Sequence, residues 1–140
     1  MILVDTGPFV ALLDPRDGEH ERCRQVLKEL DEPLVTTTPV LTEAFHLLQP
    51  GGRGGANLRV FVRRAGVGIW FLDGPALARC FDLMEQYADH RMDLADASLV
   101  AAAEGLKTRR IFTLDRDDFS TYRLRRGRSL GTFEILPGPR

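Results

Sequence analysis

The sequence predicts an α/β fold with a mostly parallel central sheet of about four to five strands flanked by helices. Three observations carry this expectation. Apolar runs too short and continuous for amphipathic helices recur along the chain. Helical stretches separate them, which is the alternation expected of a parallel sheet. The 140-residue length suits one core, so a single domain over 1–140 is expected.

The elements follow in order. Ile2-Leu3-Val4 does not alternate, so it reads as a strand buried on both faces. Residues 8–13 form a short helix stopped at Asp14-Pro15, and a longer helix runs from about 17 to 30. Leu34 to Thr37 is a second strand, and Thr38-Pro39 reads as N-cap and first turn of a helix through about Leu48. The glycine-rich stretch 50–55 lacks GxGxxG spacing and GK[ST], so it reads as a hinge loop rather than a phosphate cradle. A helix at 56–65, a strand at 68–72 and a helix at 75–88 follow. Asp93 opens an alanine-rich helix that Gly105 closes as the residue after its cap. Residues 110–114 are a fourth strand, a short helix runs through Tyr122, and 132–136 is a fifth strand at an edge.

Composition excludes several classes. No apolar stretch is long enough to span a bilayer, and an acid ends the N-terminal apolar run, so a cytoplasmic protein without signal peptide or membrane contact is expected. Cys23 and Cys80 lie far apart and no histidine is spaced for zinc, so both read as buried thiols. No serine or cysteine has a visible histidine–acid partner.

Charge is balanced only in sum. The net charge is −1, yet residues 1–48 carry nine acids and four bases, 49–72 carry four arginines and no acid, 73–104 carry seven acids and two bases, and 105–140 carry nine bases and four acids. Lys28 and Lys107 are the only lysines. Acidic segments thus alternate with segments rich in arginine, whose planar fork matches phosphate oxygens.

Four acids stand out. Asp5 and Asp115 end the first and fourth strands, where open parallel sheets form their ligand crevice, although turn or cap chemistry also explains such positions. Glu43 lies between Val40 and Leu47 on an apolar helical stripe, too deep in its helix to cap it; a buried ion pair with arginine is the bland reading. Asp93 and Asp96 share one helical face, Asp93 reading first as a cap and Asp96 equally as cap or functional acid. Asp117 and Asp118 follow Asp115, one ancillary and one a cap. Clustered carboxylates repel and resist ionising together, a difficulty that a hard divalent cation such as Mg²⁺ or Mn²⁺ removes. With arginine-rich flanks, the set suggests metal-assisted phosphodiester hydrolysis.

These residues resemble a known family. Ile2-Leu3-Val4-Asp5-Thr6-Gly7-Pro8, Pro39-Val40-Leu41-Thr42-Glu43-Ala44, Met92 to Ala101 and Ile111 to Phe119 occur in the order and spacing of PIN-domain ribonucleases, of the kind found as VapC-type toxins of toxin–antitoxin pairs. The resemblance implies that Asp5, Glu43, Asp96 and Asp115 form the acidic site, with Asp5 and Asp96 as the foremost ligands of one or two Mg²⁺ or Mn²⁺ ions. It implies that Thr6 and Thr113 orient a carboxylate or water, with Asp93 and Asp117 ancillary. It also implies an RNA substrate, a cognate antitoxin and a homodimer. Three alternatives share an acidic centre: a phospho-acceptor or aspartyl-phosphate enzyme, for which Asp5-Thr6-Gly7 lacks the DxDxT context; an RNA-processing nuclease without toxin role; and a non-catalytic RNA-binding or assembly module.

Overall fold

The computed structural model describes residues 1–139. Its centre is the strand β1 (Ile2–Val4), whose three side chains are all buried. Each such aliphatic side chain contributes roughly 1.5–3 kcal/mol on leaving water. Strand β1 pairs in parallel with β2 (Leu34–Thr37) on one side and β4 (Arg110–Phe112) on the other. Strands β3 (Gly68–Trp70) and β7 (Glu134–Leu136) complete a five-stranded parallel sheet in the order β3-β2-β1-β4-β7. The chain moves outward from β1 through β2 to β3, then returns to place β4 on the other flank of β1. Strand order therefore reverses between β1 and β4, and a crevice opens there beyond the carboxyl ends of the strands.

Seven helices accompany the sheet: α1 (Thr6–Leu13), α2 (His20–Glu29), α3 (Thr38–Leu47), α4 (Arg53–Arg64), α5 (Gly74–Gln86), α6 (Leu94–Leu106) and α7 (Arg116–Thr121), with a 3₁₀ turn at Ala88–His90 before α6. Helix α6 is the most buried, with alanines and Leu99 against the sheet and α5 alongside. Cys23 and Cys80 are free, buried thiols, as expected. No helix among the described residues is long and apolar enough to cross a membrane.

Several boundaries differ from expectation, each for a physical reason. Thr37, not Thr38, occupies the N-cap of α3, and it makes no side-chain cap. Its hydroxyl is committed to the core, 2.6 Å from Ser98 Oγ, which in turn donates to the Ala95 carbonyl at 2.7 Å. This chain ties β2 to α6. Helix α4 begins at Arg53, so it includes two glycines of the expected hinge despite their poor helix propensity. Helix α2 starts only at His20, and β3 and β4 stop at Trp70 and Phe112. A two-stranded antiparallel hairpin, β5 (Leu124–Arg126) with β6 (Ser129–Gly131), was not foreseen.

Gly105 does not end α6. The helix continues to Leu106 and Lys107 takes the left-handed cap, with φ 55°. Glycine is required at 105 for another reason: a Cβ there would lie 2.9 Å from the Trp70 ring. Alanine is intrinsically favoured over glycine in a helix by about 1 kcal/mol. The clash reverses that sign, so Gly105→Ala should lower unfolding free energy by about 1–3 kcal/mol in a urea titration. An unchanged or raised stability would contradict this packing.

Candidate active site

Three helices start where the sheet ends. Asp5, immediately after β1, is the N-cap of α1 and its Oδ1 accepts from the Thr6 amide at 2.7 Å. Its Oδ2 accepts from the Thr113 hydroxyl at 2.7 Å, and Thr113 Oγ1 itself accepts from the Asp115 amide at 3.0 Å. Asp93 caps α6 by accepting from the Asp96 amide at 2.8 Å. Asp115 caps α7, accepting from the Asp118 amide at 3.2 Å. The positive ends of these helices partly offset the negative charge gathered beside them.

Asp5, Glu43, Asp93, Asp96, Asp115 and Asp118 line a single open cleft of about 660 Å³. The four acids singled out in the sequence are thus brought together from four separate segments. Thr6 also lines the cleft and donates to Glu43 Oε2 at 3.3 Å. Thr113 acts from behind through Asp5. Asp117 is exposed and outside the lining, and its neighbour Asp118 lies within it, because one residue along α7 turns the side chain by about 100°. The Glu43 stripe is half-buried only: Val40 is buried, but Leu47 is 54% exposed.

The electrostatics are those of an unneutralised cluster. Among the described residues none of Asp5, Glu43, Asp96 or Asp115 forms an ion pair with a base, so the arginine partner considered for Glu43 is absent. Burial raises the Asp5 carboxyl to about 6, against the lowering effect of Thr113 and Thr6, with Glu43 and Asp115 adding repulsion. Burial also raises Asp96, to about 8, reinforced by Asp93 and Asp5. Glu43 is raised by burial and by Asp93. Asp118 is raised by burial and then by Asp115.

Two contributors were not visible in sequence. The Tyr122 hydroxyl donates to Asp96 Oδ2 at 2.9 Å. Its ring is fully buried and held edge-on by Tyr87 at 5.0 Å and Phe119 at 5.2 Å. Burial and the neighbouring Asp96 push the phenol upward, so it stays a proton donor. Arg91 caps the 3₁₀ turn in the left-handed region, φ 52°, and is the one arginine among the described residues lining the cleft. Tyr122 lies 26 residues from its partner, beyond any local pattern, and Arg91 owes its place in the cleft to a left-handed turn that its sequence context does not mark.

The donor set suits a hard divalent cation: it is all oxygen, crowded and without a basic partner. Among the described residues no group of three or more acid, histidine or cysteine side chains is disposed to hold a metal ion by itself. Mg²⁺ does not require one, since it keeps several waters and takes one or two carboxylates together with phosphate oxygens.

Residues 2–124 match the model of the PIN domain family. The chain is 30% identical over 139 residues to Ribonuclease VapC26 of Mycobacterium tuberculosis (strain ATCC 25618 / H37Rv), covering 97% of this chain and all of that protein. Among solved structures it is similar to Mycobacterium tuberculosis VapC20, described as a sarcin-ricin loop cleaving toxin, with TM-score 0.76 and 18% identity over 84% of this chain and 92% of that one. A toxin–antitoxin complex from Klebsiella pneumoniae superposes with TM-score 0.68 and 17% identity, over 86% of this chain and 92% of that one. The chain belongs to the PIN-domain family, and its fold is the PIN α/β fold.

The carboxyl pKa values carry a sign. A carboxyl raised in the folded state binds its proton more tightly than in the unfolded chain. Its contribution is full below the unfolded value near 4 and is lost as pH rises through the folded value. For Asp5 and Asp96 that window runs from about 4 to about 6 and about 8. In a chelator, stability should fall between pH 5 and 8, and Asp96→Asn should raise the melting temperature at pH 8 and flatten that slope. A lower melting temperature for Asp96→Asn at pH 8 would contradict the repulsive cluster.

Proposed function

From membership of the PIN-domain family, we propose that this chain is a divalent-cation-dependent endoribonuclease and the toxin of a toxin–antitoxin pair. The observation that carries the proposal is the convergence of Asp5, Glu43, Asp96 and Asp115 on one cleft at the point where strand order reverses. The toxin role draws support from the name of the curated relative and from the toxin–antitoxin complex among the structural neighbours; a cognate antitoxin partner follows from the same likeness. The homodimer stays part of the proposal, with Phe81, 54% exposed on α5, on a surface suited to a second copy.

Asp5 and Asp96 would hold Mg²⁺ or Mn²⁺, with Glu43 and Asp115 beside them. When bound, such an ion screens the carboxylates and makes water acidic enough to attack near neutral pH. The chain's own groups then have distinct tasks. Tyr122 and Thr113 fix the Asp96 and Asp5 carboxylates in orientation. Asp115 is committed to capping α7. Among the described residues the Glu43 side chain accepts only from Thr6, so it is the group free to take the proton of the attacking water. The water oxygen forms the new bond to phosphorus as the bond to the 3′ oxygen breaks, and the 3′ oxygen takes up a proton from solvent. Arg91 offers its guanidinium to a non-bridging phosphate oxygen. The products carry a 5′-phosphate and a 3′-hydroxyl.

On a single-stranded RNA with Mg²⁺, the wild-type chain should cleave, and Asp5→Asn should reduce the rate by at least about 100-fold with the fold intact by circular dichroism. Excess EDTA should stop cleavage and Mn²⁺ restore it. Undiminished activity in either condition, or 2′,3′-cyclic phosphate ends, would overturn the mechanism. Growth arrest on expression, relieved by the neighbouring antitoxin gene, is the expectation for the toxin role; its absence would favour an RNA-processing nuclease.

A further inference from the structure

A second depression, of about 400 Å³, adjoins the acidic cleft. The end of α1 contributes Asp14 and Arg16, the end of α3 Leu47 and Gln49, and the start of α4 Arg53 and Asn57. Leu47 lines both depressions, so the two meet at this half-exposed side chain. The second depression differs from the first in charge. Its one carboxylate, Asp14, is held by Arg16, with Nε at 3.1 Å and the amide at 3.0 Å. The Arg53 side chain forms no ion pair or hydrogen bond among the described residues, and residues 49–72 contain no acid to neutralise it.

An RNA strand whose scissile phosphate lies among the carboxylates must continue on either side. The chemistry beyond Leu47 suits such a continuation: a free guanidinium for a phosphate, an apolar side chain for a base face, and two amides able to pair with base edges. Adjacency to the acidic cleft at Leu47 favours an RNA strand, which must leave that cleft on either side, over an acidic peptide, which the carboxylates would repel.

We infer that the groove from Leu47 to Arg53 is a subsite for the nucleotides flanking the scissile bond of single-stranded RNA, with Arg53 gripping a phosphate and Gln49 and Asn57 contacting bases. The inference rests on the nuclease reading of the acidic cleft and extends it. Arg53 is exposed at the positive end of α4, so its removal relieves rather than strains the helix.

The test is fluorescence anisotropy of a labelled RNA dodecamer and trinucleotide on the full chain carrying Asp5→Asn, with Mg²⁺ present. Arg53→Ala should weaken dodecamer binding about tenfold and reduce the log–log salt slope by about 0.7, leaving the trinucleotide unaffected. Arg63→Ala removes the same charge from α4 outside the groove and should leave dodecamer binding within about twofold. Equal losses for Arg53→Ala and Arg63→Ala, an equal loss on the trinucleotide, or no loss at all would overturn the subsite. Loss of an acidic peptide but not of RNA in Arg53→Ala would overturn it in favour of a protein partner. A parent chain that binds neither RNA would instead overturn the nuclease reading itself.

Discussion

Asp5 stands at the end of the most buried strand, 7% exposed, and its carboxylate has no basic partner among the described residues. A carboxylate in that position costs several kcal/mol unless hydrogen bonds or a counter-charge compensate. Much of the surrounding structure answers that cost. One oxygen takes the first amide of α1 and the other takes Thr113, whose hydroxyl is in turn positioned by the Asp115 amide. One side chain thus links the end of β1 to the start of α1 and, through Thr113, to the segment after β4 and the start of α7. The compensation is partial, as the upward shift of Asp5 to about 6 records.

The same tension is repeated at Asp96. Its carboxylate receives Tyr122, anchored by an aromatic cluster that also includes Tyr87, Phe119 and Phe133. A stability-driven sequence would replace these acids by apolar groups or pair them with arginine. This chain has seventeen arginines, yet among the described residues none forms an ion pair with these acids, Arg79 for instance binding Glu104 at 2.9 and 3.0 Å. Acids gathered in the cleft with Arg91 lining it fit a site that accepts a cation first and a polyanion with it. The ion we propose would act on folding and on chemistry through the same carboxylates.

The parts of the fold legible in sequence were those whose signal is local and strong. The uninterrupted apolar run at Ile2–Val4 could only be a strand covered on both faces, and Asp93 stood at the head of a long alanine-rich helix, where the structure has it. The acids were legible because each violated a local expectation at a strand end or helical stripe. What escaped depended on tertiary packing. Gly105 carries the sequence signature of a helix end, but its role is set by Trp70, 35 residues away. The hairpin at Leu124–Gly131 is rich in arginine and lacks clear alternation. Which of Asp117 and Asp118 faces the cleft depends on the phase of a six-residue helix, which no pattern that short determines.

The central claim is that these carboxylates serve a common ion. The most direct measurement is an anomalous difference map from a crystal of the full chain soaked in Mn²⁺. The account requires a peak in the cleft touching the carboxylates of Asp5 and Asp96. A map with Mn²⁺ bound only elsewhere, or with no peak in the cleft at a concentration that saturates RNA cleavage, would contradict it.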